Sequence, residues 1–316
     1  MKNILLTGGC GFVGSVLTQA LLKKGYRVVI LDNQWFGNFI KKNKNLSFLK
    51  HDIRDLSKVP FKDFDVVIHL ANIANDPGVE LNPTLSWEVN TLATQQLVNE
   101  SIKNNISQFI YASSGSVYGV KKEKQVTEDL DLVPISAYNK TKMVSERVLL
   151  SYKNDMKVHC IRPATVCGWS PRMRLDVSVN MLTWQALKNN RMTVFGGNQV
   201  RPNIHIADMV NVYNHFLENP DLESGCYNAG FENISILSIA KKVQKIIPTA
   251  EIIISEINDP RSYRQNSDKL INTGFSPKYN VDNAIEEIVE KFKQGVLKEE
   301  DHCYTVKWMQ RLNLDK

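Results

Sequence analysis

The segment Thr7-Gly-Gly-Cys-Gly-Phe-Val-Gly14 limits the fold of this chain more than any other. An apolar run, Ile4–Thr7, leads into it, and a helical pattern, Gly14–Lys24, leads out. Glycines at 8, 9, 11 and 14 satisfy G-x-x-G-x-x-G and G-x-G-x-x-G together. A strand that turns through glycines into a helix lets the backbone approach a diphosphate and lets helix and sheet pack without an intervening Cβ. The helix N-terminus then offers free N–H groups and the positive end of its dipole. Gly8, Gly11, Phe12, Val13 and Gly14 are therefore candidate ligands of a dinucleotide. Asp32 closes the second apolar run, 18 residues after Gly14, where a carboxylate reaches ribose hydroxyls. Asn33 adjoins it. An acid at this position repels a 2′-phosphate and no arginine follows, so the expected cofactor is NAD rather than NADP. Asp52, followed by Ile53, is a candidate for the adenine edge.

Further along, short apolar runs (Arg27–Leu31, Leu46–Lys50, Asp65–Leu70, Gln108–Ser113, Val158–Arg162) alternate with helical stretches (Pro83–Lys103, Ala137–Tyr152). Near-continuous apolar strands separated by helices predict a parallel sheet covered on both faces. The second half is richer in Pro and Gly turns, with a capped helix from Ser235 and a last helix, Val281–Lys293, closed by Gly295. The expected class is α/β, a Rossmann-type doubly wound parallel sheet with a smaller C-terminal α/β substrate domain. Residues 1–165 with about 204–230 would form the NAD-binding domain, and 166–203 with 231–316 the substrate domain. The net charge of +6 comes from scattered lysines without a basic block, which argues against a nucleic-acid partner. Five dispersed cysteines without a C-x-x-C pair predict free thiols in a reducing compartment. No apolar run approaches the roughly 20 residues of a membrane span, and the six histidines show no metal-ligand spacing. The expected location is cytoplasmic, without membrane or metal.

Tyr138 and Lys142 lie four residues apart on a helical stretch, so phenol and ammonium can share a face. A nearby cation favours phenolate, and such a tyrosine can take a proton from a sugar hydroxyl. Tyr118 and Lys122 repeat the spacing, so spacing alone does not choose between the pairs.

Taken in order, Gly8–Gly14, Asp32, His69-Leu-Ala71, Asn90, Tyr111-Ala-Ser-Ser-Gly-Ser-Val-Tyr-Gly119, Tyr138/Lys142, Arg162-Pro163 and Arg201-Pro-Asn-Ile-His-Ile-Ala-Asp208 resemble the extended short-chain dehydrogenases/reductases of the nucleotide-sugar epimerase group over almost the whole chain. The resemblance selects Tyr138/Lys142 as the catalytic pair, on the helix after the Ser-rich strand end, with Tyr138 the base. It implies that Ser114 hydrogen-bonds the reacting sugar oxygen and that Lys142 also holds the nicotinamide ribose. Leu70, Ala71 and Asn90 would wall the cofactor, and Pro163 to Val166 would line the carboxamide. The positive nicotinamide ring would lower the Tyr138 pKa further. A homodimer through helices matching Pro83–Lys103 and Ala137–Tyr152 is also implied. Non-catalytic cofactor-binding members typically lose the Tyr or Lys, and both are present.

Dehydratases of this group carry an acid just after the position of Ser114, where Gly115 and Ser116 stand. Neither can titrate, so a 4,6-dehydratase is not expected, and Ser116 becomes a candidate substrate contact. The chain prefers lysine to arginine, yet three loops of the second half use only arginine: Arg172 and Arg174, Arg201, and Arg261 and Arg264. The guanidinium fork matches phosphate oxygens, so Arg172, Arg174, Arg201 and Arg261 are candidate ligands of a substrate diphosphate, with Asn180 facing the nucleotide. The phrase Gly168-Trp-Ser-Pro-Arg-Met-Arg-Leu-Asp176 is similar to a subgroup that includes GDP-heptose 4-dehydrogenases of bacterial capsule synthesis. The expected activity is NAD-dependent oxidation at C4 of a GDP-, UDP-, CDP- or dTDP-linked hexose or heptose for surface polysaccharide. It would run as a 4-epimerase or as a dehydrogenase releasing the ketone.

Overall fold

The computed structural model describes residues 2–256 and 263–314. Six strands come first: β1 (Asn3–Thr7), β2 (Arg27–Leu31), β3 (Leu46–Leu49), β4 (Val66–His69), β5 (Gln108–Ala112) and β6 (Lys157–Pro163). Then come β7 (Thr165–Cys167), β8 (Arg191–Phe195), β9 (Val200–His205), β10 (Gly225–Ala229), β11 (Glu232–Ser235) and β12 (Glu251–Ser255). Seven strands form one parallel sheet in the order β3-β2-β1-β4-β5-β6-β10. The order reverses at β1, which pairs with β2 on one side (Ile4 opposite Val28) and β4 on the other (Thr7 opposite His69). Connections leave toward opposite faces there, opening a crevice at the carboxyl ends of the strands.

Side-chain alternation along β1 sets the two layers. Ile4 and Leu6 pack on one face with Leu17 and Leu21 of α1 (Phe12–Lys23), whereas Leu5 packs on the other with Val67 and Phe109. The second layer is covered by α2 (Asp76–Leu81), α3 (Pro83–Trp87), α4 (Ala93–Lys103) and α5 (Ala137–Leu150). The stretch Pro83–Lys103 is not one regular helix. A π turn at Glu88–Leu92 separates α3 from α4. It carries the fully buried Asn90, whose side chain accepts from Ile73 N and donates to Ile73 O.

The second lobe holds α6 (Ser178–Asn189), α8 (Ile236–Ile246) and α10 (Val281–Lys293) around Leu182, Val194, Ile239 and Ile285. Its sheets are β11-β9-β7 and β12-β8. Ser235 caps α8 by accepting from Ser238 N. Helix α7 (Ile206–Glu218) packs beside α1 and leads to β10 of the seven-stranded sheet. Two later segments return as well. Leu270 of α9 (Asp268–Ile271) joins the core under β1. Helix α11 (Thr305–Arg311) follows α10, so Val281–Lys293 is not the last helix. Its Met309 is buried with the layer that contains Leu5. The C-terminal segment thus does not belong wholly to the second lobe. No described helix is long and apolar enough to cross a membrane, and all five cysteines are free.

Candidate active site

A cleft runs along the carboxyl ends of the sheet between the lobes. Its first wall is the glycine turn. Gly8 has φ +70°, and a Cβ there would lie 2.5 Å from Ala71 N. A Cβ on Gly14 would lie 2.3 Å from Gly8 O. The helix begins at Gly11 without a side-chain cap, so the N–H groups of its first turn face the cleft unclaimed by a side chain. Gly8, Gly11, Phe12, Val13 and Gly14 all line it. Asp32 sits at the end of β2 with Oδ2 accepting from Cys10 N (2.9 Å) and Oδ1 from Gln34 N (2.7 Å). Burial raises its pKa against those two hydrogen bonds. Asn33 lines the cleft while its Oδ1 accepts from Trp35 N, and Ile53, Leu70, Ala71, Pro163 and Val166 complete this half. A cradle that any Cβ would fill, an open helix N-terminus and a ribose-facing carboxylate fit NAD.

Two expected cofactor residues lie elsewhere. The Asp52 side chain is outside the cleft, held by Arg54 Nε (3.0 Å) and Nη2 (3.1 Å), because that loop turns the acid toward its own neighbour. Asn90 is also outside. The π turn aims its amide at the Ile73 backbone, so it braces the strand-end loop from behind.

Ser114, Tyr138 and Lys142 meet in the middle of the cleft. Ser114 ends the β5 run, shares a hydrogen bond with Ser116 Oγ (2.7 Å) and hydrogen-bonds Tyr138, lowering the phenol's pKa. Tyr138 lies in the first turn of α5, which Ser136 caps by accepting from Asn139 N. The buried Lys142 donates to Ala112 O (2.6 Å), with Nζ 4.9 Å from the Tyr111 ring centre and 5.8 Å from that of Tyr138. Among protein groups alone the phenol is not activated. Burial pushes the Tyr138 pKa up to about 12, with Asp76 adding to the rise and Ser114 and Arg174 opposing it. Burial likewise brings Lys142 down to about 7. Lys142 Nζ stands 5.8 Å from the Tyr138 ring centre, and what acts most on the phenol is its own burial, then Ser114, Asp76 and Arg174. Tyr118 is fully buried, donating to Asn228 Oδ1 (2.8 Å) and accepting from Arg162 Nη1 (2.7 Å), so the second Tyr/Lys pair is structural.

Two acids missing from the sequence reading act here. Asp76 opens α2, and its Oδ1 accepts from Ser136 Oγ and from Asn139 Nδ2. That ties it to the start of α5 and places its charge on Tyr138. Glu146, two turns beyond Tyr138, accepts from Arg162 Nε (2.9 Å) and Nη2 (2.8 Å) and from Ser113 Oγ. This buried group joins α5, β6 and the Ser113-Ser114 strand end. Asp76 follows Asn75, whose φ of +69° is unusual for a non-glycine residue, and the Asn-Asp-Pro run was the available signal for that turn.

The arginine loops divide. Arg174 lines the cleft, bonds Asp176 Oδ1 (2.8 Å) and bears electrostatically on Tyr138; Arg201 lines it too. Arg172 lines the cleft as well, 4.1 Å from the Phe36 ring centre, and its charge acts on Asp32 in the cofactor half. Arg261 lies outside the described residues. Asn180 does not face the cleft: its amide accepts from Gly168 N and donates to Gly168 O and Arg174 O, which shapes the arginine loop from below.

Residues 4–230 match the model of the NAD dependent epimerase/dehydratase family. An uncharacterized UDP-glucose epimerase of Bacillus subtilis, YtcB, is 31% identical over 265 residues, spanning 77% of this chain and 82% of that protein. A UDP-glucose 4-epimerase of Lactobacillus helveticus is 27% identical over 314 residues, 90% and 94% of the two chains. Among solved structures, the UDP-glucuronic acid 4-epimerase of Bacillus cereus, in complex with UDP-glucuronic acid and NAD, superposes with a TM-score of 0.80. It is 29% identical and covers 92% of this chain and 99% of its own.

Proposed function

Because the chain belongs to the NAD-dependent epimerase/dehydratase family, with NAD as its cofactor, we propose that it oxidises C4 of a nucleotide-diphosphate sugar and returns the hydride, as a 4-epimerase. The observation that carries this reading is the meeting of Ser114, after β5, with Tyr138 and Lys142 of α5 in the cleft that the glycine cradle also lines. Tyr138 removes the C4 hydroxyl proton, Ser114 orients that oxygen, and Lys142 positions the strand-end backbone through Ala112 O. NAD, held by the glycine turn and Asp32, supplies the hydride acceptor and a positive ring. Arg174 and Arg201 take the substrate diphosphate. The names of the relatives favour a UDP-sugar, and the products of such a reaction are donors for surface polysaccharide.

Elimination of water needs an acid or base beyond the tyrosine. Gly115 and Ser116 supply none. Asp76 is a carboxylate in the cleft, but it is fastened to Ser136 and Asn139. We therefore assign it to tuning Tyr138 rather than to elimination. Asp76→Asn removes a charge that raises the Tyr138 pKa. The rising limb of the kcat–pH profile is expected to move to lower pH; a limb that stays in place removes Asp76 from this role.

NMR of UDP-, GDP-, CDP- and dTDP-sugars after incubation tests the reaction. The expected product has inverted C4 without net NADH. A released 4-ketone with stoichiometric NADH would make the enzyme a dehydrogenase of the GDP-heptose kind, and loss of water would make it a dehydratase. We also place a homodimer on the α3–α4 face, where the π turn leaves Leu92 57% exposed. Leu92→Arg is expected to halve the mass seen by light scattering; an unchanged dimer mass would put the interface elsewhere.

A further inference from the structure

The loop between β7 and α6 docks on the start of α1. Ser170 Oγ donates to Phe12 O (2.7 Å) and shares a hydrogen bond with Ser15 Oγ (2.8 Å). Two residues later Arg172 lies 3% exposed against the Phe36 ring. Its Nε is buried with no hydrogen-bond partner among the described residues. Asp32 is near enough to feel its charge, yet the Asp32 oxygens are used by Cys10 N and Gln34 N. Burial, then the charge of Arg174, brings the Arg172 pKa down to about 9. A buried guanidinium N–H without an acceptor is costly, and the loop that carries it is fastened at Ser170 to the first turn of α1. Such a corner needs an anion with several oxygens.

We propose that Arg172 is a ligand of the cofactor's diphosphate, reaching it from the second lobe alongside the glycine turn. A substrate diphosphate offers the same oxygens. Arg172 touches the Phe36 ring and acts on Asp32, which favours the cofactor, while Arg174 and Asp176 also act on it, so separate titrations with ADP-ribose and UDP decide between the two. Contact from the second lobe makes the cofactor a bridge between lobes. The C-terminal segment closes the same corner, since Trp308 Nε1 donates to Trp35 O (2.6 Å) and Thr305 N to Asp176 Oδ2 (2.9 Å).

The test is calorimetric titration of the cofactor-stripped protein with ADP-ribose and, separately, with UDP. Arg172→Gln is expected to weaken ADP-ribose by about tenfold to a hundredfold, the loss of a charge-assisted hydrogen bond, and to leave UDP within about twofold. Arg172→Lys, which keeps the charge and loses the fork, should fall between wild type and Gln, and it decides the matter if the Gln variant does not fold. Unchanged ADP-ribose affinity in the variants, or a loss confined to UDP, overturns the proposal. Failure of the wild-type protein to bind ADP-ribose would instead unseat the cofactor cleft itself.

Discussion

Tyr138→Phe is expected to lower kcat by about a hundredfold to ten-thousandfold, the range of a positioned general base, while NAD and the nucleotide sugar still bind. The reason lies in the placement of the hydroxyl. Ser114 hydrogen-bonds the phenol, and the ring stays in its packing when only oxygen is removed. A second measurement follows from electrostatics. Burial holds Tyr138 at about 12 among protein groups, with Asp76 working in the same direction. A base needs a pKa nearer the working pH, and an opposite charge within a few ångströms lowers a pKa by about 1–3 units. The absorbance titration of the phenol is therefore expected to move to lower pH when NAD is added, and less so with NADH, whose ring is neutral. Equal curves with and without NAD would remove the positive ring from the argument, and unchanged turnover in Tyr138→Phe would remove the tyrosine.

Glu146→Ala is expected to destabilise the protein by about 3–5 kcal/mol, the usual result of stranding one member of a buried pair. The side chains of Glu146 and Arg162 are 1% and 5% exposed. With the carboxylate gone, Arg162 would keep only Tyr118 OH among its present side-chain partners. Ser113 would lose its acceptor as well, loosening the strand end that carries Ser114. Thermal unfolding should fall by roughly 5–8 °C. The paired substitution Glu146→Leu with Arg162→Met should lose less, because no charge is then stranded. If Glu146→Ala melts with the wild type, the pair is not a clamp on this site.

The first half of the fold was legible because its signals are local. Apolar runs of strand length, the glycine turn and the helical stretches between them imply a doubly wound sheet without knowledge of any distant contact. The capped start of α8 and the Gly295 end of α10 were legible for the same reason. The π turn at Asn90 was not, since nothing in Pro83–Lys103 breaks helical periodicity; its amide and carbonyl find partners on Ile73, Thr94 and Ser145 only after packing. The return of α11 to the first lobe was equally hidden, because Met309 packs against residues more than two hundred positions earlier.

By itself, then, the sequence determined the parallel sheet, the glycine cradle, Asp32, and the presence of Ser114, Tyr138 and Lys142 in one reading frame of strand end and helix. The sheet, the cradle and Asp32 depend on spacing within one or two elements, whereas Tyr138/Lys142 was chosen over Tyr118/Lys122 by the resemblance carried by the order of motifs along the chain. Only the tertiary structure decided where polar side chains of equal type would point. Asn90 and Asn180 turn to backbone, Asp52 to Arg54, Arg172 to the Phe36 ring and Arg174 to Asp176. It also put Asp76 on Tyr138 and Glu146 on Arg162. An amide, a carboxylate or a guanidinium takes whichever partner burial leaves nearest, and that partner comes from another part of the chain.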